Sequence, residues 1–174
     1  MFSDMLIKLW ENGVLQKGIW ETVYMTLLST LFAYLLGLPL GVLLAVTGDG
    51  GIRPMPVFNK ILGFAVNIFR SMPFIILMVA MLPVAKFIVG TSIGNAAMIV
   101  TLVIAAAPYV ARMVESSIKE VSAGVIEAAQ AMGTSNFKIV WKVLIPEAKP
   151  SLIIGAVISI VTILAYTAIA GAVG

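Results

Sequence analysis

The polar side chains with the means to act on a small solute are few. Arg70, Thr162, Tyr166 and Thr167 stand in otherwise apolar runs, and Glu127 lies in a charged segment between two such runs. Cysteine and histidine are both absent, which removes thiolate nucleophiles, disulfides and imidazole acid–base chemistry together. Without a Ser/His pair, and with no Asp or Glu inside the apolar runs, catalysis and carboxylate-mediated ion coupling lack their groups. With no Cys or His to hold a metal, and no Gly-x4-Gly-Lys-Ser/Thr string to cradle nucleotide phosphates, no metal or cofactor is expected and energy must come from a partner. Recognition remains. An arginine inside a membrane is a functional candidate by default, yet Arg70 could equally mark the boundary of a shorter span. Thr162, Tyr166 and Thr167 could line a path, although a threonine can also satisfy itself on its own helix carbonyls.

The elements that position these groups follow from composition. Of the 174 residues 61% are hydrophobic and 11% charged, far from the roughly 25% charge of soluble domains. Lipid is the solvent that suits such a chain, and a net charge of +3 without a basic–aromatic run excludes nucleic acid. Four uncharged stretches run over residues 22–48, 71–85, 87–111 and 150–174. A hydrocarbon core of about 30 Å needs about 20 helical residues, so the first, third and fourth suffice. The second does so only if extended back to residue 61 through Arg70, and Pro73 predicts a tilted or broken beginning. The expectation is an all-α, polytopic transmembrane bundle, one domain over 1–174 with four spans. The first span is too long for a cleaved signal and is expected to persist.

With four spans, Arg53, Lys60, Arg112, Lys119, Lys138, Lys142 and Lys149 fall on one side and Lys8, Lys17 and Lys86 on the other, which predicts cytoplasmic loops and an outward N-terminus. Phe2, Met5, Leu6 and Leu9 read as an interfacial helix within 1–17, with Trp10 and Trp20 as anchors. Gly37/Gly41 and Gly90/Gly94 are small-xxx-small pairs that would let helices approach closely, or simply reflect the frequency of glycine in membrane helices.

The loop at about 115–149 is longer than a simple helix connection requires. Ser122 could cap a helix over Val125 to Met132 that Gly133 ends, with Ala128, Ala129 and Ala131 giving it a smooth face. Thr134, Ser135 and Asn136 could cap a second, amphipathic helix carrying Phe137, Val140, Trp141 and Leu144, expected to stop at Pro146. Such a pair makes a knob that another protein could grip. The alternative is an amphipathic helix lying on the bilayer. Arg112 and Glu115 are spaced for a local, structural ion pair.

Glu127-Ala128-Ala129, three residues, Gly133, nine residues, then Val143-Leu144-Ile145-Pro146 resembles the EAA loop of ATP-binding-cassette importer permeases. Val143 and Ile145 stand where that pattern usually has Ile and Leu. Further strings, among them Asn67 to Leu77, Val89 to Gly94, Ala106 to Glu115 and Gly171 to Gly174, resemble permeases of the methionine-importer family. The resemblance implies a type I importer permease fold whose fifth span is missing here, in a bacterial inner membrane. It implies Glu127, Ala128, Ala129, Gly133 and Phe137 as the ATPase-coupling surface. Arg70 and Ser71, in an Arg-Ser-x-Pro element, then join Thr162, Tyr166 and Thr167 as possible path residues. The implied partners are an ATPase subunit, an extracytoplasmic binding protein, a second permease copy and membrane lipid. Methionine of either hand or a similar small amino acid is the implied cargo; another small solute, an ATP-independent channel and a membrane scaffold are the alternatives.

Overall fold

A computed structural model describes residues 8–171. The elements are α1 (Val14–Thr47), α2 (Pro56–Ser71), α3 (Phe74–Val89), α4 (Asn95–Lys119), α5 (Ala123–Ala131) and α6 (Asn136–Gly171), the last with a π-helical turn over Val140–Leu144. Among the described residues, α1, α4 and α6 are each long and apolar enough to cross a membrane; α2 and α3 together make a fourth, bent crossing. Leu9, Trp10 and Trp20 are helical, but Phe2, Met5 and Leu6 of the expected interfacial helix lie outside the described residues.

The central packing is between α1 and α4. A Cβ on Gly37 would meet Val110 Cβ at 2.7 Å and one on Gly41 would meet Val114 Cβ at 2.6 Å. Both residues advance by four, so the two helices run parallel, and only the missing side chains allow this approach. Parallel neighbours require a return crossing between them, which α2 and α3 supply. α6 runs antiparallel to α4: Ser151 bonds Ser117 at 3.0 Å, Gly155 faces Met113, and Ala170 packs in a cluster with Met98. Ala33, Val110, Val114, Ala129, Ile139 and Ile163 belong to one buried cluster, so the short loop helix shares the core of the spans.

The second crossing is broken by 110° between α2 and α3. The cause is Pro73: the residue before a proline is pushed out of the helical region, and Met72 accordingly has φ −81° and ψ 134°. α2 is fastened near its start by Asn59, whose amide donates to the Leu44 carbonyl at 2.8 Å and to Thr47 Oγ1 at 3.0 Å.

Three expectations need correction. Gly90 and Gly94 are not a helix-packing pair; they have φ of +80° and +95° and form the turn from α3 to α4, a backbone region in which glycine is unpenalised. Pro146 does not stop the amphipathic helix. The Ile145 amide donates to the Val140 carbonyl, five residues back, and this widened turn lets α6 continue past the proline ring. Ser122 stands at the N-cap of α5 and Ser135 at that of the next helix, but neither hydroxyl makes a capping bond.

Candidate coupling surface and membrane path

The loop from Glu120 to Ser135 folds as a helix and a tight reversal. Gly133 adopts φ +73° after α5, and Thr134 N–H closes back on the Ala129 carbonyl at 3.2 Å. This fixes α5 against the start of α6. Glu127 and Ala128 are exposed, and Glu127 makes no ion pair among the described residues. Ala129 points the other way and is buried beside Ile139 and Leu144 in the shared core. Its small size sets how closely α5 can sit on the bundle. Met132 and Phe137 are 77% and 73% exposed, and the Phe137 and Trp141 rings lie 6.2 Å apart. The helix pair therefore presents a carboxylate, small residues and large apolar side chains outward, while its inner side is continuous with the spans.

The path residues divide. Arg70 and Tyr166 line one cavity of about 230 Å³ at the break of the second crossing, together with Phe69, Phe74, Leu77 and Tyr109. Phe74 stacks flat on Tyr166, centroids 4.1 Å apart, which ties the first residue of α3 to α6. Ser71, Thr162 and Thr167 do not line that cavity; their hydroxyls donate to the carbonyls of Asn67, Ile158 and Leu164 on their own helices. Arg70 carries the cavity's positive charge, set among aromatic rings. Such a pocket suits a carboxylate on an otherwise apolar solute.

The sequence assigns no role to Phe74 and Tyr109, because the cavity joins three segments, around residues 69–77, 105–109 and 166, that lie far apart along the chain. The local pair expected of Arg112 and Glu115 forms, at 2.6 Å. In the fold Arg112 reaches across to α2 as well, donating to the Gly63 carbonyl at 2.9 Å and to Asn67 Oδ1 at 3.0 Å.

A parallel pair of spans, a broken return span with a cation at its break, and a helical loop joined to the core define a multi-pass membrane permease. Residues 37–174 match the family described as binding-protein-dependent transport system inner membrane component, and the chain belongs to that family. It is 50% identical over 158 residues to the D-methionine transport system permease protein MetI of Salmonella typhimurium strain LT2, covering 91% of this chain and 73% of the relative. The MetI protein of Escherichia coli strain K12 gives the same identity and coverage. A structure of the inward-facing MetNI methionine ABC transporter superposes with a TM-score of 0.90 at 50% identity, covering 92% of this chain and 74% of that one. An amino acid ABC transporter crystallised with histidines shares the fold at a TM-score of 0.76 and 19% identity. The protein is thus a multi-pass component of the inner membrane.

Proposed function

We propose that the chain is the permease subunit of an ATP-driven methionine importer, working as a pair of copies above two ATPase subunits and receiving its cargo from an extracytoplasmic binding protein. The observation that carries this reading is an exposed Glu127 on a helix pair built into the core of a chain half-identical to the methionine permeases. On this reading the helix pair lies in the cytoplasm, with the N-terminus outside, in keeping with seven basic residues on the loop side against three on the other.

Glu127, Ala128, Gly133 and Phe137 would seat in the ATPase, with Ala129 anchoring the pair from behind. When the ATPases close on ATP they draw the two helix pairs together, and because these share a core with α4 and α6, the spans shift as a unit. A cycle of this kind needs two membrane states that the ATPase dimer binds unequally. The cavity at the break supplies Arg70 for the cargo's carboxylate and the rings of Phe74, Tyr109 and Tyr166 for a thioether side chain, a favourable sulfur–aromatic pairing. Ser71, Thr162 and Thr167 would act on helix geometry.

The test is uptake of radiolabelled methionine into liposomes holding the transporter, with ATP supplied on the ATPase side and the binding protein on the other. Uptake that requires ATP and is displaced by unlabelled methionine supports the reading. Uptake that is indifferent to ATP points to a channel, and displacement only by another solute reassigns the cargo.

A further inference from the structure

Glu115 bridges two basic residues of its own helix, one at the loop end of α4 and one that reaches across to α2. Glu115 is 6% exposed near the loop end of α4, and its carboxylate accepts at 2.6 Å from Arg112 Nη1 and at 2.6 Å from Lys119 Nζ. Arg112 turns its other terminal nitrogen to α2, where Nη2 donates to the Gly63 carbonyl and to Asn67 Oδ1. A Cβ on Gly63 would stand 3.2 Å from that nitrogen, so the guanidinium lies against the helix backbone at a residue that leaves it room. Lys119 is the last residue of α4 and lines a cavity of about 220 Å³ with Ala123 and Ile126 of α5 and with Asp49 to Ile52 of the α1–α2 turn.

We infer that the chain Lys119–Glu115–Arg112–Asn67 is the link through which the loop helices set the position of α2, with Glu115 as its central positioning residue. The inference rests on the importer reading. α2 is pinned near its start by Asn59 and gripped at Gly63 and Asn67 by Arg112, and less than one turn beyond that grip stands Arg70 at the break. A displacement of α5 reaches Lys119 across Glu120, Val121 and Ser122. Lys119 and Arg112 share one carboxylate, so movement of the first changes the hold of the second. A buried carboxylate between two cations favours discrete arrangements over gradual stretching, because each partly broken state leaves charge uncompensated. The guanidinium keeps one buried donor, Nε, without a partner, so the present arrangement does not exhaust its bonding.

The experiment is a double-mutant cycle read as methionine imported per ATP hydrolysed in the reconstituted transporter. Lys119→Met and Asn67→Ala change exposed side chains that do not bond each other. Each is expected to lower the ratio by about threefold or more, and the double variant to fall no further than the more affected single one, since coupled residues break additivity. Glu115→Gln should lower the ratio at least as far. Ratios unchanged in the single variants, or effects that multiply in the double, overturn the link. Absence of ATP-dependent uptake by the unsubstituted transporter would instead sink the importer reading, and this inference with it.

Discussion

Gly41 of α1 and Val114 of α4 approach so closely that a Cβ on the glycine would fall 2.6 Å from the Cβ of the valine, a separation that real side chains do not adopt. The contact dictates a contrast between two glycines of one helix. Gly41→Ala must push α1 and α4 apart and should destabilise the protein by about 1–3 kcal/mol, the usual cost of overpacking. Gly18→Ala, with nothing within 4 Å, should instead stabilise α1 by about 0.5–1 kcal/mol through helix propensity. Thermal unfolding in detergent separates the two, and equal shifts would contradict the packing.

Gly133 makes the reversal after α5 at φ +73°, a backbone region that asparagine tolerates and β-branched residues do not. Gly133→Asn should therefore retain ATPase association and uptake, while Gly133→Val should lose both and make the loop helices easier to cleave. Limited proteolysis alongside ATPase pull-down reads this directly.

Arg70 carries the charge of the cavity at the break. Arg70→Ala should raise the KM for methionine by about tenfold or more, as expected for loss of a charge-assisted hydrogen bond of about 1.5–3 kcal/mol. Arg70→Lys should fall between, because an ammonium keeps the charge without the planar fork. Uptake kinetics test it, and an unchanged KM in Arg70→Ala removes the residue from the path.

Phe74 and Tyr166 stack flat, 4.1 Å between centroids. Tyr166→Phe should preserve the stack and uptake, whereas Tyr166→Leu forfeits an aromatic pairing of about 0.5–1.5 kcal/mol and loosens the start of α3. Hydrogen exchange in α3, faster in the leucine variant alone, is the expected result.

What the sequence made legible is what short-range chemistry dictates. Uncharged length announced the spans and Pro73 the break, because each acts within a few residues of itself, whereas the Gly37/Gly41 spacing left close packing and mere glycine frequency open until the fold decided for packing. Pro146 misled for the same reason: read locally a proline ends a helix, but a π turn precedes it and Leu144 and Ala148 on either side are buried in the shared core. Gly90 and Gly94 had the spacing of a packing pair, and only the path of the chain makes them a turn. The Phe74–Tyr166 stack and the reach of Arg112 to Gly63 join residues from different helices, and no periodicity encodes them. The split of the path residues was equally hidden, since a hydroxyl bonded to its own helix has the same sequence as one facing a cavity.

Co-purification of an ATPase with this chain, before and after Glu127→Lys, tests the account most directly. The unsubstituted protein should carry its ATPase, Glu127→Lys should lose it by about tenfold or more through reversed charge at the docking surface, and Lys86→Glu on the opposite end should leave it intact. An ATPase that never co-purifies, or one held equally by Glu127→Lys, would contradict a permease driven through its helical loop.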